Sequence, residues 1–354
     1  MSAFTLMLTF ALSLAVVAAK EQRITAVWLS RDFDAGRSIN HATVHAALRD
    51  ANDLLVDSQT AMTNAFGEFN LSIPVETIHT ITFEMAGFSP IVLANFHRNL
   101  RLNSTVIMEP LLWISETWAG PATVSGRLFY MSPGNYNVAI PAPSVNVTFR
   151  YGLNNDSGPF LATTTTMENG YWVQSLPSGY YTATASATGY IPKVFTVVVY
   201  SLVGPAPMHS LMPDVSNDDI RIILFNSRYA YMELVVEGPL QDTQYRTRVE
   251  CQGMKSSEDK LIQNDYAGTF ADSTVITKQL PGTYRISVYD WNSRKKQQIS
   301  LLANSNSVVE LYRGKSLWAR YYVPNRVGNT WSVAEFNGAN LTVINEITTE
   351  YHYT

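Results

Sequence analysis

The chain has 354 residues and a single cysteine, Cys251. No disulfide can form within it, so its stability must come from packed cores. Charge is also scarce: only 15% of residues are Asp, Glu, Lys or Arg, against 46% hydrophobic. That balance argues against disorder. The net charge of −4 gives no basic footprint for nucleic acid. After the first 19 residues no apolar run is long enough to cross a bilayer, and the polar C-terminal stretch INEITTEYHYT lacks a lipid-anchor tail.

Motifs for catalysis and metal binding are missing as well. The six histidines are His41, His45, His79, His97, His209 and His352, and none stands in an His-x-x-Glu or His-Glu-x-x-His arrangement. His41 and His45 have the i,i+4 spacing of a helical metal pair, but their surroundings read as a strand, which separates them. No Gly-x-Ser-x-Gly elbow is present. Asp32 and Asp34 before Gly36 could begin a calcium loop, yet no Glu follows at EF-hand distance, and a polar turn is the simpler reading. The basic NSRKKQQ at 292–298 reads as a solvated hairpin tip rather than an anion site. The sequence therefore predicts no enzyme, no cofactor and no metal.

What is present points outside the cell. MSAFTLMLTFALSLAVVAAKEQ is an uncharged apolar run, and Val17 and Ala19 satisfy the small-residue rule for cleavage before Lys20. It reads as a signal peptide, with an uncleaved membrane anchor as the competing reading. Five sequons agree with secretion, at Asn70, Asn103, Asn146, Asn155 and Asn340. Around Cys251, the stretch QYRTRVECQG alternates Tyr245, Thr247, Val249 and Cys251 against Arg246, Arg248 and Glu250. This places the thiol on the less polar face of a strand. A buried free thiol follows, with an intermolecular disulfide as the alternative.

The 19 Tyr, 15 Phe and 7 Trp suit pleated sheets. In ENGYWVQSLPSGYYTATASATGY, residues 168–190, Gly170 supplies a turn and YWVQSL a strand. PSG turns the chain, and YYTATASA returns as a second strand with Tyr181, Ala183, Ala185 and Ala187 on one face. The unit occurs twice. TNAFGEFNLSIP at 63–74 aligns with TMENGYWVQSLP at 166–177, matching Thr63, Gly67, Phe69 and Pro74 to Thr166, Gly170, Trp172 and Pro177. MAGFSP then answers ATGYIP. A repeat of about one hundred residues signals two copies of a whole domain. MEPLLWISETWAGPA reads as the linker, with Trp113 and Trp118 at the inter-domain contact.

Both copies resemble the carboxypeptidase regulatory-like domain, a small prealbumin-type β-sandwich with a polar-Gly-aromatic strand, Leu-Pro-x-Gly-x-Tyr, and a strand ending in Gly-Tyr or Gly-Phe. Residues 166–190 carry that pattern; residues 63–88 have PVETIHTI in place of the turn. The family module is an accessory fold without catalysis of its own. From residue 214 onward, IRIIL, the Gly-Pro after the second strand, LPGTYRISVYD and GNTWSVAEFNG resemble a secreted β-sandwich domain of unknown function. That family's Asp-Leu-Asp is replaced here by YMELVVEGP, with Glu233 as the only acid inside the strand. Asn337-Gly338 is the strongest short hairpin signal in the chain.

The expectation is an all-β protein of three β-sandwich domains in tandem: a signal peptide at 1–19, regulatory-like sandwiches at 20–112 and 119–213, and a C-terminal sandwich at 214–354. The predicted role is a secreted, non-catalytic structural or adhesive protein of an extracellular matrix, coat or appendage. Self-association or other matrix proteins are the expected partners, with glycans as a further class and no nucleic acid. The alternative is a carbohydrate- or protein-binding accessory module of the cell surface.

Overall fold

The computed structural model describes residues 23–33, 37–74, 77–94, 96, 105–131, 140–201, 208–225, 232–241, 247–250, 262–267, 271–290, 301–305 and 307–349. The fold is all-β. Six sheets stack as pairs along the chain, and the only α-helix among the described residues is a four-residue turn, Leu301–Asn304.

The first pair begins with Arg23–Asp32 (β1). Its residues Ile24, Ala26 and Trp28 are buried on alternate positions, as a half-covered strand requires. β1 pairs antiparallel with Glu68–Pro74 (β4) and parallel with Thr105–Ile107 (β7) and Leu111–Trp113 (β8). Across the core lies the sheet of Leu55–Met62 (β3), Thr43–Arg49 (β2), Thr80–Glu84 (β5) and Ile91–Leu93 (β6). Trp28 packs against Phe69 at 5.7 Å and Phe83 at 5.1 Å between ring centres.

The second pair repeats the scheme. Ala122–Tyr130 (β9) pairs antiparallel with Ile140–Pro141 (β10) and Tyr171–Leu176 (β13), and parallel with Met208–Leu211 (β16). Ala162–Thr165 (β12), Asn146–Tyr151 (β11), Gly179–Ser186 (β14) and Lys193–Val199 (β15) form the facing sheet.

The repeated motifs are matched bond for bond. Gly67 and Gly170 both have φ of 77°. Gly67 O accepts from Ser30 N, and Gly170 O from Leu128 N. Thr63 Oγ1 accepts from Ala42 N, and Thr166 Oγ1 from Val145 N. A side chain at either glycine would strike backbone: the added Cβ lies 2.8 Å from Ser30 O at Gly67 and 2.4 Å from Leu128 O at Gly170. Core volume is redistributed between copies. Trp28 faces Phe69 in the first, whereas in the second Gly126 faces Trp172, whose indole occupies the space over the glycine. Trp172 is fully buried in one core cluster with Tyr181, and its nearest aromatic neighbour is Phe149 at 5.4 Å.

The third pair joins Ile262–Ala267 (β20), Ala271–Ile276 (β21), Ile220–Phe225 (β17), Val308–Arg313 (β23) and Ser316–Tyr322 (β24). Facing them are Thr247–Glu250 (β19), Met232–Gly238 (β18), Tyr284–Asp290 (β22), Thr330–Asn337 (β25) and Asn340–Thr348 (β26). The strands β17 and β18, consecutive in sequence, lie in opposite sheets and do not pair as a hairpin. The predicted hairpin after Asn337 forms, with Asn337 paired to Asn340 and Gly338 at φ 58°. The Leu-Pro motif has a common basis in two places: Tyr284 Oη accepts from Leu280 N at 2.9 Å, and Tyr181 Oη donates to Pro177 O at 2.8 Å. In each case the tyrosine hydroxyl ties down the turn four residues before it.

One expectation needs correction. MEPLLWISETWAGPA is not simply a linker. Its Leu111–Trp113 is a strand on β1, and Leu111, Trp113 and Ile114 belong to the first core. Alternation places Leu111 and Trp113 on the inward face, where burial of a tryptophan outweighs any advantage of leaving the segment free.

The three pairs do not stand in a line. Tyr180 and Tyr200 of the second pack into the first core, and Tyr180 Oη accepts from Ile114 N at 2.9 Å. Leu153 and the β6 segment exchange backbone hydrogen bonds. Met131, Ile191 and Met212 meet Ile223, Ala271 and Tyr312 of the third pair. The third pair also reaches the first, through Arg326 on Glu68 at 2.6 Å, Asn325 Nδ2 on Phe66 O at 2.8 Å, and Arg31 on Ala303 O at 3.0 Å. Each pair therefore touches both others.

Candidate functional site

Where the three sheet pairs converge they line a cleft of about 610 Å³ that opens to solvent. The first pair contributes Leu29, Arg31, Glu109 and Leu112; the second Thr182, Lys193, Phe195 and His209; the third Phe225, Ser307, Glu310, Arg320 and Tyr322. Strand parity explains how charge comes to be inside. In β15, Lys193 shares the inward phase with Phe195, Val197 and Val199. In β23, Val309 and Leu311 fill the third core, so Glu310 and Tyr312 point the opposite way, toward the second pair.

Glu310 is the hub. Its Oε1 receives Lys193 Nζ at 3.0 Å, Arg320 Nε at 2.9 Å and Arg320 Nη2 at 2.8 Å, and its Oε2 receives Tyr312 Oη at 2.7 Å. Burial alone would raise this carboxyl, but Lys193 and Arg320 outweigh it and hold the group down at about 2. Burial pulls the Lys193 ammonium down to about 8, with Glu310 opposing. Lys193 also stands 3.4 Å from the Phe225 ring centre. Glu109 accepts from Thr196 Oγ1 at 2.6 Å and acts electrostatically on Lys193, Arg320 and Tyr322. Burial, reinforced by Lys193, drives His209 down to about 3, so its imidazole is neutral at physiological pH. The ring lies 4.1 Å from Phe195, and its Nε2 has no hydrogen-bond partner among the described residues.

This arrangement can clasp and it can bind. No group of three or more His, Cys, Asp or Glu able to hold a metal occurs among the described residues. His41 sits in a turn at φ 55°, and His45 lies exposed on β2, bonded to Thr60.

Of the sequons, Asn70, Asn146 and Asn340 are exposed on strands. Asn155 is half-buried, with Nδ2 donating to Tyr151 O at 2.8 Å and Oδ1 accepting from Gly158 N at 2.9 Å, so a glycan there would break a formed turn. Asn103, Asp34, Gly36, His97, Cys251, His352, residues 1–22 and the basic run 292–298 lie outside the described residues. Trp118 is half-buried against the first core, and its carbonyl accepts from Ser201 N, which puts it at the contact between the first two pairs.

Sequence reasoning missed the Lys193–Glu310–Arg320 hub. A signal was available for Lys193, whose parity in KVFTVVV is that of the core valines. Glu310 and Arg320 carried none, because they lie on faces that alternation assigns to solvent.

No helix among the described residues is long and apolar enough to cross a membrane. No protein-family model matches the chain, and no curated protein matches it. Solved structures do. A streptococcal ancillary pilin is 12% identical with a TM-score of 0.22, covering 56% of this chain and 64% of its own. GBS52, the minor pilin of Streptococcus agalactiae, is 11% identical with a TM-score of 0.22, covering 55% and 97%. The Bacillus anthracis TIE protein is 11% identical with a TM-score of 0.21, covering 86% and 48%. The chain thus spans less than two thirds of the first and third.

Proposed function

We infer that this chain is a secreted, non-catalytic structural or adhesive protein that builds an extracellular matrix, coat or appendage, with self-association or other matrix proteins as its partners. The observation that carries the reading is the mutual clasp of the three sheet pairs. A buried ion pair, shared aromatic cores and backbone bridging make one preformed block from modules that could have hung on flexible linkers. Inter-domain contacts of this kind suppress the relative motion that separate domains otherwise show. The proposed limits of the modules remain 20–112, 119–213 and 214–354, with the first extended to include Trp113. Exposed Asn70, Asn146 and Asn340 are the preferred glycan positions.

Edge pairing is restrained in the first module. Gln59 Nε2 donates to Ser72 O at 2.6 Å while its Oε1 accepts from Ser72 N at 3.0 Å, so a side-chain amide takes the place of a neighbouring strand on β4. Assembly then falls to exposed apolar positions such as Leu54, Met62, Phe160 and Met167. The test is light scattering on the secreted protein over a concentration series, with and without reductant and in Cys251→Ser. Concentration-dependent oligomers that persist in reductant support non-covalent assembly. A strict monomer at all concentrations refutes the reading, and a dimer lost in reductant and in Cys251→Ser replaces it with a covalent route.

A further inference from the structure

The central cavity is a cleft open to solvent, and its volume of about 610 Å³ is room for about twenty waters at bulk density. It falls within the volume range of small-molecule sites, which are mostly apolar with a few convergent polar groups. The lining divides that way. Leu29, Pro110, Leu112, Met208 and Val323 supply apolar surface, while Glu109, Lys193, Glu310 and Arg320 supply a polar end.

The charges of the lining decide the ligand's head group. Two carboxylates, Glu109 and Glu310, and three cations, Arg31, Lys193 and Arg320, line the cavity; Glu310 already holds Lys193 and Arg320 within 3.0 Å, and Arg31 donates to Ala303 O. A ligand ion of either sign would bring a like charge close in a poorly screened site. A hydroxyl both donates and accepts, so it can meet a carboxylate and a guanidinium at once without adding charge. Glu109 already accepts one hydroxyl, that of Thr196, at 2.6 Å.

We propose that the cavity between the three sheet pairs binds an uncharged amphipathic small molecule, its hydroxylated end at Glu109 and Arg320 and its apolar body against Leu112 and its neighbours. Such a ligand touches all three modules at once, so its binding stabilises the clasped arrangement over an opened one by mass action. The site does not depend on assembly and can be tested on monomeric protein.

The test is isothermal titration calorimetry on the whole secreted chain with hexyl glucoside, glucose and hexanoate. Hexyl glucoside should bind saturably at one site, at least about tenfold more tightly than glucose, which lacks the apolar body, or hexanoate, which is charged. Glu109→Gln, at a half-exposed position, should weaken hexyl glucoside about tenfold. Leu112→Trp, which fills the cavity from the face of β8 opposite the core, should abolish binding while the folded circular dichroism spectrum is retained. Tighter binding of hexanoate would move the head to a cation and overturn the uncharged assignment. No binding of any probe at millimolar concentration would leave a water-filled cavity, and binding unchanged in Leu112→Trp would place the site elsewhere; either refutes the proposal.

Discussion

Replacing Glu310 with glutamine keeps the shape of the hub and removes its charge. Glu310 is 1% exposed, receives three hydrogen bonds from Lys193, Arg320 and Tyr312, and has a second Arg320 nitrogen within ion-pair distance. Without its charge, two buried cations face each other across a neutral amide. Breaking a buried ion pair by removing one partner costs about 3–5 kcal/mol, because the remaining charge stays desolvated. Lys193→Met makes the contrast. Burial is the largest influence on that ammonium and acts against it, and its loss leaves Glu310 still gripped by Arg320 through two nitrogens. The expected cost is therefore under about 1.5 kcal/mol, the range of a tolerated apolar replacement. Urea melts of the two variants beside the parent chain measure the difference, provided m is unchanged. Equal losses, or a loss below about 1 kcal/mol for Glu310→Gln, would mean that the hub is solvated and that the clasp does not depend on it.

The pH dependence of the same hub has two arms of opposite origin. Glu310 titrates at about 2 instead of 4.5, so its contribution is complete above about 4.5 and is lost as pH falls toward 2; thermal melts of Glu310→Gln should lack that acid limb. Lys193 titrates at about 8 instead of 10.5, so the unfolded chain holds the extra proton between these values and stability rises with pH across that window, a rise that Lys193→Met should remove. Gly126→Ala would place a Cβ 2.4 Å from the Trp172 ring, and denaturant melts should show a loss of about 1–3 kcal/mol; Trp172→Ala should lose about 3–5 kcal/mol, and a neutral Gly126→Ala would mean that the indole is free to move. Tyr181→Phe and Tyr284→Phe each delete one turn-closing hydrogen bond, and each should lose about 1 kcal/mol in the same assay.

The sequence by itself determined the local grammar of this protein. Alternation in YYTATASA placed Tyr181, Ala183 and Ala185 on one face, and all three are buried. Gly67 and Gly170 announced equivalent turns, since a left-handed backbone pressed against a carbonyl admits little else. Leu-Pro followed by tyrosine announced a turn, which the structure closes with the tyrosine hydroxyl, and the repeat announced its own duplication. These features are decided within a strand, a turn or one neighbouring strand. Tertiary structure decided the rest. It assigned β17 and β18 to opposite sheets, built Trp113 into a core, and turned three successive sandwiches back on one another. It also made the cavity and its hub: Glu310 and Arg320 occupy faces that alternation gives to water, and only the arrival of Lys193, 117 residues away from Glu310, removes that water. Periodicity records how a strand meets its own sandwich, and it carries no term for a second sandwich docking on the outer face.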